Sequence, residues 1–244
     1  MDSYLILIII IFVLSVIQSF FGVGLLVFGT PLLLILGYSF EESLTFLLPS
    51  SIIISLIQTI GYDERLTTSD LHKKISLFSV PGIIIGLLFV LSEVNTLNIG
   101  LIVGFILLTT VLFRNIEYLF LILKKIFNSN LNIYLFLMGI IHGVSNMGGG
   151  FLTILVTSIF DNKNTQRRNI AFGYLIFGVT QIIILLILNF NIFTFWSLIF
   201  PLLSLIIYYS VGNVIFKKIS ENSYNYLMSI LIFLYGIVLI IINI

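Results

Sequence analysis

All eleven Lys and Arg residues of this 244-residue chain fall in four short clusters. They are Arg65 with Lys73 and Lys74, Arg114 with Lys124 and Lys125, Lys163 with Arg167 and Arg168, and Lys217 with Lys218. The sequence between the clusters is overwhelmingly apolar. Membrane proteins keep Lys and Arg in short cytoplasmic loops, so all four clusters are expected on one side. Two apolar runs separate the first cluster from the second, and two separate the third from the fourth. Both counts are even and return the chain to the same side. One run, 131–160, lies between the second cluster and the third. A single crossing there would put the last two clusters on the wrong side. A run that enters the membrane, turns and leaves by the same face removes the conflict. Its centre reads Ser145-Asn146-Met147-Gly148-Gly149-Gly150, a composition suited to a turn.

Composition supports a membrane reading. The chain is 59% hydrophobic and 9% charged, with mean hydropathy +1.23. Apolar runs near the ~20 residues that span a bilayer recur along its whole length. The expectation is one transmembrane domain over 1–244, all-α and polytopic, in the cell (inner) membrane. Net charge is +1, which gives no footprint for nucleic acid. The absence of cysteine excludes disulfides, thiol catalysis and Cys-based metal sites. The opening Met1-Asp2-Ser3-Tyr4 has no basic n-region of a signal peptide, so the first apolar segment is expected to be retained.

Eight apolar runs are read, at roughly 3–36, 42–61, 75–92, 97–113, 131–160, 169–188, 192–216 and 224–243. All are expected to be helical, because backbone polar groups in lipid must be satisfied within the segment. Their continuity excludes the alternating pattern of a barrel. The first and fifth runs have 34 and 30 residues, about 51 and 45 Å as single helices. Each is too long for one comfortable pass and too short for two. Each has a glycine break, Gly22-Val23-Gly24 and Gly148-Gly149-Gly150. Long, tilted, kinked helices are the other reading, but they would split the basic clusters between the two faces. With both runs as re-entrant hairpins, all basic loops are cytoplasmic. The termini and the 37–41, 93–96 and 189–191 loops then face outward.

The two halves repeat, with repeat one at about 1–123 and repeat two at about 124–244. The segment 18–24 lies over 142–148 at an offset of 124, and 55–58 lies over 178–181 at an offset of 123. Each half reads as hairpin, helix, helix, helix, and so crosses three times. An odd number inverts the second half relative to the first. Inverted repeats whose broken helices meet at the midplane are a common transporter plan.

Few ionisable groups occur inside the runs. His142 is the exception, and an intramembrane ionisable residue is a functional candidate unless it only bonds a neighbouring helix. The apolar runs offer no buried carboxylate for a proton relay or cation site, and no buried Lys or Arg for an anion. The glycine breaks supply a substitute. A half-helix that starts inside the membrane presents free N–H groups and the positive end of its dipole, and glycine lets an anion approach closely. The candidate site residues are therefore Gly22, Gly24, Gly148, Gly149 and Gly150, flanked by Gln18, Ser19, His142, Ser145 and Asn146. Gln58 and Gln181 complete the shell. Thr30-Pro31 reads as an N-cap with proline at the first helical position, so the returning half-helix of the first run starts anywhere from the break to residue 31, an interval of about eight residues. Pro49 and Pro81 are expected to kink their helices. The segment 115–127 reads as an interfacial helix or as an extension of the fourth run.

The stretch Gly22-Val23-Gly24-Leu25-Leu26-Val27-Phe28-Gly29-Thr30-Pro31 resembles the glycine-rich, proline-ended signature of the TauE/SafE sulfite exporter family. Asn146-Met147-Gly148-Gly149-Gly150, with Gly139 and Gly143 before it, is similar to the second signature. The length, the eight runs and the internal duplication match as well. Leu25 and Leu26 depart from the usual glycine triplet, and Leu155 stands where the second signature has proline. The resemblance implies a bacterial-type transporter of sulfite, sulfonates or related small anions, in a family that also includes carriers of other organic acids.

The expected function is secondary transport of a small anion by alternating access about a site between the two hairpin tips. A passive anion channel, a carrier of small carboxylates and a membrane scaffold are the other readings. With no HExxH, GxSxG or buried carboxylate pair, no enzyme is expected. No cofactor or metal is expected. The partners are the anion and the lipid bilayer, and homo-oligomerisation stays open.

Overall fold

The computed structural model describes residues 2–60, 69–92, 116–189 and 194–220, with separated residues between 101 and 113 and between 223 and 241. Arg65, Arg114, the 93–96 loop, most of the 189–191 loop and most of the eighth run lie outside the described residues.

The described residues are helical, without strands. In chain order they form α1 (Asp2–Phe21), α2 (Leu25–Ile35) and α3 (Phe40–Thr59). Next come α4 (Ser69–Lys74), a π-helical turn (Ile75–Ser79) and α5 (Val80–Ser92). α6 (Glu117–Ser145), α7 (Gly148–Ile159) and α8 (Lys163–Asn189) follow. The described chain continues with α9 (Phe195–Ile207), a second π turn (Tyr208–Gly212) and α10 (Asn213–Lys218). Five stretches among them are long and apolar enough to cross a membrane: Tyr4–Phe21, Phe40–Thr59, Asp70–Ser92, Lys163–Leu188 and Phe195–Lys218. The helices α2 and α7 are apolar but short, at 11 and 12 residues.

Local chemistry sets several boundaries. α3 begins at a reciprocal cap, in which Ser39 Oγ accepts from the Glu42 amide (3.1 Å) and Glu42 Oε2 accepts from the Ser39 amide (2.8 Å). α6 ends at Asn146, which adopts the left-handed conformation with φ 63°. Asparagine tolerates that region better than other residues with a side chain. The π turn Ile75–Ser79 lies just before Pro81, whose missing N–H breaks the regular ladder.

Both glycine breaks turn the chain back on itself. The Tyr134 hydroxyl donates to the Phe151 carbonyl at 2.8 Å, although a straight helix would hold residues 17 apart at about 25 Å. α7 therefore runs back along α6. A methyl at Gly29 would sit 2.9 Å from Leu14 Cδ1, so α2 likewise returns beside α1. The outgoing arms pack in parallel on distant helices. On α9, the Tyr4 ring stacks on Trp196 with centroids 5.0 Å apart, Ser15 bonds Ser204 at 2.8 Å, and Ser19 abuts Gly212. On α6, Gly139 and Gly143 lie against the Ser79 and Ile83 carbonyls, while Gly82 and Gly86 of α5 lie against those of Phe136 and Ile140. α3 and α8 cross at the centre, with Gly178 against Ile52.

The basic clusters gather as expected where they are described. Lys163 Nζ donates to the Phe216 carbonyl (3.3 Å) and to that of Ile219. His72 bonds Asn169 Oδ1 (2.9 Å) and stacks on Phe172 with centroids 3.7 Å apart. The first, third and fourth clusters thus share one end.

Two readings left open are resolved, and two expectations are corrected. The returning helix of the first run starts at Leu25 and carries Pro31 in its interior. The segment 115–127 lies in a helical stretch of its own from Glu117, set off from the rest of the fifth run by a non-helical Asn130 (φ −147°, ψ 54°) and from the fourth run by an extended Ile116, in keeping with the first of its two readings. α8 begins at Lys163, so the third cluster sits on its first turns and not in a loop. Arg167 is buried, at 2% exposure, so a cation does lie within the protein.

Candidate functional site

The candidate side chains are fully or almost fully buried, and they sort into two hydrogen-bonded groups, one at each turn. At the first, Gln18 closes the loop between α1 and α2. Its Oε1 accepts from the Leu25 amide (3.0 Å) and thereby caps α2. Its Nε2 donates to the Ser51 carbonyl (2.9 Å) and hydroxyl (3.0 Å) and lies 3.1 Å from Ser55 Oγ. Gln58 Nε2 donates to the carbonyls of Gln18 (3.1 Å) and Ser19 (2.9 Å), the first of which also accepts from the Gly22 amide (2.8 Å). Arg167 Nη1 reaches the Ser19 carbonyl (3.1 Å) and Asn213 Oδ1 (3.3 Å). Its guanidinium lies 3.6 Å from the centre of the Phe216 ring. Gly22 has φ 77°, and a methyl there would stand 2.8 Å from the Arg167 carbonyl. A methyl at Gly24 would stand 2.7 Å from the Gln18 amide. These glycines admit close backbone approach between hairpin arms and α8.

At the second turn a chain of side-chain bonds links three helices. Asn146 Nδ2 donates to Thr30 Oγ1 on α2 (2.7 Å). Asn146 Oδ1 accepts from Gln181 Nε2 (2.7 Å), and Gln181 Oε1 lies 3.2 Å from His142 Nε2. A methyl at Gly148 would stand 2.5 Å from His142 Cβ and 2.8 Å from the Met138 carbonyl. The Tyr174 hydroxyl lies over Gly149, where any Cβ would overlap it. Gly150 N donates to the Met147 carbonyl (3.1 Å), so the amide ends of α7 nearest the turn are those of Gly148 and Gly149. Three buried polar atoms have no hydrogen-bond partner among the described residues around these turns: His142 Nδ1, Tyr174 Oη and Gln58 Oε1.

The candidate residues thus divide between the two turns. Gln18, Ser19, Gly22, Gly24 and Gln58 come together at the first turn. His142, Ser145, Asn146, Gly148, Gly149, Gly150 and Gln181 come together at the second. Among the described residues, the bond from Asn146 to Thr30 ties the second turn to the first hairpin. Along α8 the two turns are staggered. Gly22 lies by Arg167 and Ile170, and Gly149 by Tyr174, four to seven residues or about 6–10 Å further on. The two serines offer no free donor, since Ser19 Oγ donates to the Ser15 carbonyl (2.6 Å) and Ser145 Oγ to that of Ile141 (2.6 Å). Helical serines commonly bond back in this way.

Sequence reasoning missed Thr30 as a site residue, along with Ser51, Ser55, Arg167 and Tyr174. Ser51 and Ser55 carried a signal, because their spacing of four puts both hydroxyls on one face of α3. Arg167 and Tyr174 carried none, since an arginine beside a loop and a tyrosine in an apolar run are commonplace.

The family model of the sulfite exporter TauE/SafE matches residues 7–239, nearly the full chain. The chain belongs to the TauE/SafE family. With its five long apolar helices, this TauE/SafE chain is a multi-pass membrane protein of a transport family whose name denotes sulfite export. No curated protein and no solved structure matches it.

Proposed function

We propose that this TauE/SafE protein is a secondary carrier of a small oxyanion, with sulfite and sulfonates the first substrates to test, working by alternating access between two inverted re-entrant hairpins. The supporting observation is the equivalence of the two turns. Residues 123 to 125 positions apart do the same work. Gly22 and Asn146 hold the positive φ (77° and 63°), and Gly24 and Gly148 approach Gln18 and His142. Gln58 and Gln181 bond back to those two residues or their backbone. Ser15 against Ser204 mirrors Gly139 against Ser79. The arms also run in opposite senses relative to the basic end. α1 descends toward it alongside α9, whereas the later part of α6 rises away from it alongside α5. One hairpin thus opens from each face, and each half supplies a wall for the other's outgoing arm.

Such a site binds an anion mainly through oriented amides. A half-helix N-terminus contributes about 0.3–1 kcal/mol, rising to about 2 kcal/mol where buried. That range suits a substrate that must be released on the far side.

The test is uptake into proteoliposomes of the purified protein with sulfite, sulfoacetate, taurine, thiosulfate and small carboxylates. A carrier gives saturable flux and counterflow for at least one oxyanion. Flux that rises linearly with concentration and shows no counterflow would establish a channel instead.

A further inference from the structure

The polarity of the hydrogen-bond chain at the second turn determines what His142 can offer. Asn146 donates to Thr30 and accepts from Gln181. Gln181 then turns its carbonyl oxygen toward His142 Nε2. A carbonyl oxygen only accepts, so Nε2 carries the proton and neutral Nδ1 is left as a bare acceptor. Nδ1 is buried and unpartnered. The Tyr174 hydroxyl, also buried and unpartnered, lies against Gly149 at the first turn of α7. The His142 and Tyr174 rings are 6.0 Å apart and nearly perpendicular. The start of α7, a hydroxyl and a lone acceptor therefore share one place. Among the described groups in contact with His142, Tyr174 titrates. The rest are Gly148 from α7, Phe177 and Gln181 from α8, and the Gly86 backbone of α5 beside Gly143.

Resting on the carrier reading above, we propose that this place binds an oxyanion together with one proton. The α7 amides and the Tyr174 hydroxyl donate to the anion's unprotonated oxygens, and the proton lies between His142 Nδ1 and the remaining oxygen. A fully deprotonated anion would set lone pair against lone pair at Nδ1. A hydrogen oxyanion such as hydrogen sulfite brings its own proton, while a sulfonate needs one delivered to Nδ1 from water. In both cases one proton and one anion cross together. The first hairpin does not duplicate the device, because Gln18 stands where His142 does and already caps α2.

Methanesulfonate separates the ideas, because it stays unprotonated in solution over the working range. Proteoliposomes holding the full chain, with the membrane potential clamped at zero and the interior made alkaline, should accumulate methanesulfonate uphill. His142→Gln should abolish that accumulation, and Tyr174→Phe should weaken half-saturation about tenfold. Saturable exchange by the wild-type protein without uphill accumulation would overturn the proton pairing and leave the carrier standing. Absence of saturable flux for methanesulfonate and sulfite alike would overturn both. An independent readout needs no transport. In ¹⁵N-histidine spectra, with His72 assigned through His72→Asn, His142 Nδ1 should be unprotonated alone and shift toward the protonated value on adding sulfite. A protonated Nδ1 in the anion-free protein would refute the hydrogen-bond polarity on which the proposal stands.

Discussion

Gly22 and Gly37 hold nearly the same backbone angle, φ 77° and 87°, yet they do different things. Nothing lies within 4 Å of where a side chain would project from Gly37, whereas at Gly22 the Arg167 carbonyl stands 2.8 Å away. Gly37→Ala should therefore cost the strain of a left-handed alanine alone, about 1 kcal/mol. Gly22→Ala adds a collision with backbone on α8, so its cost should be larger by about 1–3 kcal/mol. Thermal unfolding in detergent would order the two. Equal losses would mean that the first turn does not press on α8. Asn146 solves the same problem at the second turn with a side chain that also bonds Thr30 and Gln181. The one structural step therefore serves geometry and polarity at once, which glycine cannot do.

The pairing of α5 with α6 shows how elements hold together where burial of apolar surface provides little preference between lipid and protein. Gly82 and Gly86 on one helix face Gly139 and Gly143 on the other, each against a carbonyl of the partner backbone. Small residues four apart are the usual means of close helix approach in lipid. Gly86→Leu should separate the two helices and with them the outgoing arm of the second hairpin. The expected result is loss of the monodisperse peak in size-exclusion chromatography, while Gly37→Ala stays monodisperse. A normal peak for Gly86→Leu would show that the helices tolerate separation. Both G-x-x-x-G spacings were present in the sequence, but which two helices meet is a long-range fact that spacing does not carry. The start of α2 was left open by the sequence for a related reason. Thr30-Pro31 has the local form of a helix start, but Gln18 caps the chain six residues earlier through a contact between helices. Pro31 then sits inside the helix and forgoes one backbone bond. The start of α8 was misread because hydropathy marks where lipid contact begins, while the helix itself extends six residues into the polar cluster.

For the whole molecule, the helical class, the two breaks and most of the polar residues at the turns were legible. They follow from strong constraints, since lipid forces helices and charge is excluded from its core. The division of those residues between two networks was not legible, because depth along a helix depends on which neighbour it slides against. The same holds for Arg167, which belongs to one of the four basic clusters yet folds inward over Phe216. This makes it an anchor of the first turn at the basic end. The orientation of that end gives the last prediction. If the basic end is cytoplasmic, the start of α3 beside Glu41 faces outward and Lys218 faces inward. The native chain has no cysteine, so single replacements report cleanly. In intact cells, Glu41→Cys should react with a membrane-impermeant maleimide, and Lys218→Cys should react only after permeabilisation. Labelling of both from outside would mean that α3 and α10 do not place their ends on opposite faces. The opposed entry of the two hairpins would then fail with them, because each hairpin takes its direction from the long helix it runs beside.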